Sequence, residues 1–121
     1  ADALAKFGES DIAALLARNP GCSFLCRETA PEAGARPGPV LGTILAGHDG
    51  RRGYLYHLAV RPEWRRRGLG SELLRRALAG LTAAGIHKAH VFVFDTNADG
   101  KAFWARHFTR RHDIALFSGD L

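Results

Sequence analysis

The sequence predicts a mixed α/β (α+β) fold, with a mostly antiparallel central sheet and helices on both faces. Three observations carry this. The elements run helix, three strands, helix, strand, helix, strand. The early strands are joined by turn-rich connections, which makes them antiparallel neighbours. Residues 54–94 read strand, helix, strand, and that order requires a parallel pair joined by a crossover helix.

Each element follows from local chemistry. Ser10-Asp11 opens a helix whose Ile12, Leu15 and Leu16 share one apolar face, and Asn19-Pro20-Gly21 stops it. Cys22 to Arg27 is a short strand. Glu28 to Gly38 is a loop with no core-forming residue larger than alanine. Val40 to Ala46 reads as a strand, Gly47 to Gly53 as a turn, and Tyr54 to Val60 as the next strand, ended by Arg61-Pro62. Leu69, Leu73, Leu74, Ala77, Leu78 and Leu81 then recur at helical spacing, with Glu72, Arg75 and Arg76 opposite. Gly85 suits the end of that helix. Ala89 to Phe94 is a continuous apolar run, as in a strand covered on both faces. Asn97 to Phe108 is a further helix with Ala102, Phe103 and Phe108 inward, and Ile114 to Phe117 a last strand.

The totals suit one domain over residues 1–121, long enough to bury a core without staples. Apolar and charged fractions of 46% and 24% are ordinary for a soluble protein. No apolar run is long enough to span a membrane, and the first residues lack the basic-then-apolar layout of a signal peptide. The expected address is the cytoplasm. The net charge of +5, carried mainly by arginine, favours an anionic partner: nucleic acid, acidic membrane or a phosphorylated cofactor. A solvated basic face accounts for it equally well. Cys22 and Cys26 are expected as small core residues, and no Cys/His cluster has metal spacing.

The stretch richest in chemistry is Arg65-Arg66-Arg67-Gly68-Leu69-Gly70, between a strand end and a helix start. A helix N-terminus offers unpaired amides and about half a positive charge. Glycines at 68 and 70 let the backbone approach an anion closely. A P-loop would need Lys-Ser/Thr after its last glycine, and here Ser71-Glu72 follows Gly70. The dinucleotide fingerprint needs a glycine at position 73, which is leucine. Neither motif fits. A tight turn with exposed arginines is the plainer alternative.

Leu58-Ala59-Val60, Pro62 and Arg65-x-x-Gly68-x-Gly70 together resemble motif A of the GNAT (GCN5-related N-acetyltransferase) family, as in its small bacterial-type members. That motif pairs a strand ending in such a triplet with Arg/Gln-x-x-Gly-x-Gly/Ala and an amphipathic helix. Asn97 and the run Phe103-Trp104-Ala105-Arg106-His107-Phe108 are similar to motif B, with Trp104 in place of the usual tyrosine and the Gly-Phe ending one residue short. The resemblance covers roughly Ser10 to Ser118. It implies the GNAT fold, with the family's first strand and helix lacking from the sequence.

The resemblance implies acetyl-CoA as co-substrate, with no metal. The backbones of Arg65, Arg66, Arg67, Gly68, Leu69, Gly70 and Ser71 would bind its pyrophosphate. The main chain of Leu58, Ala59 and Val60 would pair with the pantetheine arm, and the Val60 amide would polarise the thioester carbonyl. Asn97, Phe103 and Trp104 would flank the arm. The acceptor would be a small-molecule or peptide amine.

Acetylation needs a neutral amine. A lysine side chain at pH 7 is neutral about once in 2,500 molecules, a penalty of roughly 4–5 kcal/mol, whereas an α-amino group needs only about 1 kcal/mol. The central strand has no Asp or Glu to serve as a base. Its candidates are Tyr54 and Tyr56, which alternation puts on one face as the acceptor wall, and His57 on the other as the titrating group. Packing against neighbouring helices is the alternative for all three. Glu63 and Asp95 are further base candidates. Trp104 has no phenolic proton for the departing thiolate, which would leave unaided or take a proton from water or the amine. Two other readings stand beside this one: a CoA-binding module without turnover, and a basic nucleic-acid-binding protein, which lacks any recognisable signature. A homodimer is left open.

Overall fold

The computed structural model describes residues 9–28 and 36–121. The expected lack of the family's first strand and helix bears on residues before Glu9, which lie outside the described residues. The chain divides into two compact units at Val91/Phe92.

The first unit holds a four-stranded sheet in the order β1-β2-β3-β4, formed by Phe24–Arg27, Val40–His48, Gly53–Val60 and Ala89–Val91. β1, β2 and β3 are antiparallel neighbours, and β3 pairs with β4 in parallel. Two helices pack on it, α1 (Glu9–Arg18) and α2 (Leu69–Ala83). Their sides are read from two glycines of β2. A Cβ on Gly42 would meet Leu73 of α2, whereas one on Gly47 would meet Leu15 of α1 and Asn19 just beyond it. An odd separation along a strand changes faces, so the helices cover opposite faces of the sheet.

Helix α1 ends where Asn19-Pro20-Gly21 stops it, with Gly21 at φ +80°. Asn19 is buried, donates from Nδ2 to Leu15 O at 3.1 Å and accepts from the His48 amide at 2.9 Å. It thus ties the helix end to the β2–β3 hairpin. Leu15 is half-buried, but Leu16, expected in the core, is 43% exposed. The apolar stripe of this short helix is narrower than its sequence suggests. Cys22 is buried and Cys26 only half-buried, because β1 is the edge strand; both thiols are free. Burial pushes the Cys22 thiol up.

The β2–β3 turn is built by Asp49, whose Oδ1 accepts from the Arg51 and Arg52 amides, each at 2.8 Å, with Gly50 at φ +91°. Helix α2 buries Leu73, Leu74, Ala77 and Leu81 against β1, β2 and β3. It ends in a Schellman motif: Gly85 N donates to Thr82 O, Ile86 N to Leu81 O, and Ile86 closes the end as a buried residue. Gly80 faces the chain just before β1, where an added Cβ would collide with the Gly21 carbonyl oxygen. Alanine in a helix ordinarily gains about 1 kcal/mol over glycine. Here Gly80→Ala is expected to destabilise by about 2 kcal/mol in urea unfolding, because rigid backbone must move. Stabilisation would show that α2 does not pack this closely on residues 21–22.

Strand β4 stops at Val91, short of the expected Phe94, because the ladder with β3 ends at Leu55↔Val91 where β3 bulges. Phe92 and Phe94 are 60% and 65% exposed, so this run is not covered on both faces.

In the second unit, α3 (Ala98–His107) is capped by Asn97, whose Oδ1 accepts from the Gly100 amide at 2.9 Å. Phe103 and Phe108 are half-buried as expected, but Ala102 is exposed. The expected strand at Ile114–Phe117 is absent. These residues join no ladder and Phe117 is 89% exposed; strand propensity without a partner edge makes no strand.

Candidate active site

The site begins at an irregularity in β3. Residues Leu45 and Ala46 of β2 pair with His57 and Leu55, so the ladder skips Tyr56 as a β-bulge. Unbroken alternation would put His57 on the face opposite Tyr54 and Tyr56. The bulge corrects this. Tyr54 pairs with Gly47 and His57 with Leu45, two β2 residues of one face, so Tyr54 and His57 both lie on the α1 side. The Tyr56 ring stacks on Tyr54 at 6.3 Å, and His90 of β4, in register with Tyr54, adds a third ring at 5.9 Å. His90 escapes a sequence reading because parallel register is set by the crossover rather than by pattern.

Burial pushes the His57 imidazole below its ordinary value, which keeps it neutral at pH 7. Burial, and then the nearby Tyr54 and Asp49, push the Tyr56 phenol up.

Beyond the bulge, the ladders among the described residues put a neighbouring strand on one side of β3 only. Its parallel pairing with β4 covers Gly53 to Leu55, while His57–Val60 join only the ladder with β2. Arg61 N donates to Leu41 O at 2.8 Å, which makes Gly42/Val60 a non-hydrogen-bonded pair. The N–H and C=O groups of Val60, and of Leu58 two residues earlier, therefore point away from β2 toward the open edge. Those of Ala59 point back at β2. The Val60 carbonyl accepts from Arg65 Nε at 3.2 Å.

The loop after β3 starts as a single 3₁₀ turn, Pro62–Trp64, with Glu63 exposed on it. Arg67 lies over the Trp64 ring, 4.5 Å from its centroid. This contact was not legible in the sequence. Arg66 and Gly68 have positive φ, +62° and +81°, with Arg67 between them on the ordinary side. Such alternation turns successive amides into a concave anion-binding nest. Gly68 is the N-cap of α2, no side chain caps the helix, and a Cβ on Gly68 would meet open space. Leu69 and Gly70 open the helix, so their amides have no intrahelical partner. One turn on, the Glu72 carboxylate binds Arg75 and Arg76 at 2.7 and 3.0 Å, which holds its pKa down at about 2 and engages those two cations.

The structure thus gathers Tyr54, Tyr56, His57, Leu58, Ala59, Val60 and residues 65–71 along one strand, loop and helix start. Asn97, Phe103 and Trp104 belong to the second unit. There Asn97 is a helix cap, and Phe103 and Trp104 pack edge to face at 5.2 Å within an aromatic run continued by His107 and Phe108. Asp95 is engaged by Lys101 at 3.2 Å and Arg110 at 3.5 Å, so a structural ion-pair role accounts for it. Among the described residues no cluster of His, Cys, Asp or Glu is placed to hold a metal, and no helix is long and apolar enough to cross a membrane.

Comparison with known proteins gives the same outline. An aminoglycoside acetyltransferase from an uncultured soil metagenomic sample superposes with a TM-score of 0.60 at 22% identity, over 72% of this chain and 62% of its own. The aminoglycoside acetyltransferase AAC(6')-Iy, solved with a bisubstrate analogue of CoA and acetylneamine, gives 0.63 at 17% identity over 82% and 69%. A putative acetyltransferase from Deinococcus radiodurans gives 0.51 at 32% identity over 66% and 54%. The chain spans 62% and 59% of the lengths of two soil aminoglycoside acetyltransferases it matches. The model of the acetyltransferase (GNAT) family matches residues 3–108, nearly the whole sequence. The chain belongs to the GNAT family of acetyltransferases.

Proposed function

We propose that this protein is a cytoplasmic N-acetyltransferase that moves the acetyl group of acetyl-CoA to a primary amine, with both substrates bound together. The observation that carries the reading is a half-open strand running into an uncapped, arginine-lined helix start. The residues fit the donor. The amides of Arg66 to Ser71 would take the pyrophosphate, and hydrogen bonds to a charged group contribute about 1.5–3 kcal/mol each. The edge-facing groups of Leu58 and Val60 would hold the pantetheine arm as an added strand. An arm starting at the loop and running back along β3 reaches Val60, then Leu58, then the bulge. The thioester would thus arrive beside Tyr56 and His57, where the nearest edge-facing amide to polarise its carbonyl is that of Leu58, two residues closer than the Val60 amide expected from the resemblance.

The thioester supplies an activated acetyl group. The amine nitrogen bonds to the carbonyl carbon, the C–S bond breaks with its electron pair going to sulfur, and the amine gives up one proton. Neutral His57 accepts that proton directly or through water ordered by the tyrosine hydroxyls. Positioning the two substrates supplies much of the remainder.

The test is amine-dependent thiol release from acetyl-CoA between pH 5 and 9. Protonated His57 cannot act as base, so activity should fall on the acid side, with the limb below the ordinary histidine value of about 6.5. His57→Gln is expected to abolish that limb and lower kcat/KM by about 100-fold. An unchanged profile would take His57 out of the reaction. CoA binding without thiol release from any amine would leave a CoA-binding module instead.

A further inference from the structure

The four strands β1, β2, β3 and β4 carry no Asp or Glu at all. The groups gathered at the bulge are instead the neutral rings of Tyr54, Tyr56, His57 and His90. The carboxylate that acts on Tyr56 is Asp49, and its Oδ1 is committed to the Arg51 and Arg52 amides of the hairpin turn. On α1, which covers this face, Glu9 and the exposed Asp11 lie in the first turn and Arg18 closes the helix. Glu63 lies past the other end of β3, in the turn before the arginines.

A site of this composition has two handicaps toward a cationic amine. Among the described residues of the first unit it gathers no carboxylate to draw and hold an ammonium, and its base is a neutral imidazole, too weak to strip an alkylammonium efficiently. Resting on the transferase reading above, we propose that the acceptor is an α-amino group with no further positive charge, as on a peptide N-terminus or a simple amino-acid derivative. Lysine side chains and polycationic aminosugars, the latter named for several structures of similar fold, are excluded by the same reasoning. The step is the one written above, with His57 taking the proton of an amine already close to neutrality.

The experiment uses the full chain with acetyl-CoA at pH 7, following thiol release. The acceptors are an uncharged tetrapeptide with a free N-terminus, alaninamide, an N-acetylated peptide with one lysine, and kanamycin. The α-amines should exceed the lysine peptide in kcat/KM by about 100-fold, near the difference in their neutral fractions at this pH, and should exceed kanamycin because its several cations meet no carboxylate. Mass spectrometry should find the acetyl group on the α-nitrogen, and the ratio of tetrapeptide to alaninamide tells which source fits. Tyr56→Glu, at an exposed ring, supplies the missing carboxylate and should narrow the preference at least fivefold. Equal or faster turnover of kanamycin or the lysine peptide overturns the proposal, as does a Tyr56→Glu preference that does not narrow. Thiol release from none of them, with calorimetric CoA binding intact, overturns it together with the transferase reading.

Discussion

Gly70→Asp is expected to weaken CoA binding on the order of 1,000-fold while leaving the fold as stable as before, or slightly more so. The two effects have opposite signs for one reason. Gly70 is the second residue of α2, half-buried in its first turn, behind the uncapped Gly68. A carboxylate there meets free amides and the positive end of the helix dipole, which ordinarily stabilises a helix by about 0.3–1 kcal/mol. The same carboxylate then occupies the amides that an incoming pyrophosphate needs and repels its charge. Calorimetric titration with CoA, paired with thermal unfolding, separates the two. Affinity within tenfold of the parent would place the pyrophosphate elsewhere.

Leu81→Ala should cost about 3 kcal/mol, which for a chain of this length lowers Tm by roughly 12 °C. Leu81 is 2% exposed, and its methyls lie against the α-carbon side of Gly53, the residue that opens both β3 and its parallel register with Ala89. Gly53 has no side chain to fill the space left by truncation, so the site cannot collapse cheaply. Amide exchange should quicken first at Gly53, whose N–H donates to Lys88 O at 2.9 Å across the β3–β4 junction. A loss below 1 kcal/mol would mean that α2 is not seated on that junction.

What the sequence yielded was governed by how local the cause is. The loop and helix from Arg65 to Gly85 were legible because glycine conformations, a helix start and 3.6-residue spacing are all set within a few residues. Sheet order followed from connection lengths, another local property. The bulge at Tyr56 was not legible, since alternation assumes an unbroken ladder and the slip depends on the facing strand. It moved His57 to the face of Tyr54. Phe92, Phe94 and Ile114–Phe117 were overread for a related reason: apolar, β-prone side chains establish a preference, and pairing needs an edge that composition does not reveal.

Among the described residues no strand ladder joins Leu58–Val60 on the side away from β2, a property with consequences for handling the protein without ligand. An exposed strand edge is a template for any other extended chain, including a second copy of itself. Here that edge ends in three consecutive exposed arginines, Arg65, Arg66 and Arg67, and two copies meeting edge to edge in parallel would bring these like charges together. The residues suited to welcoming a phosphate thereby also act as gatekeepers against self-association. That guard is electrostatic, so it weakens as salt is raised.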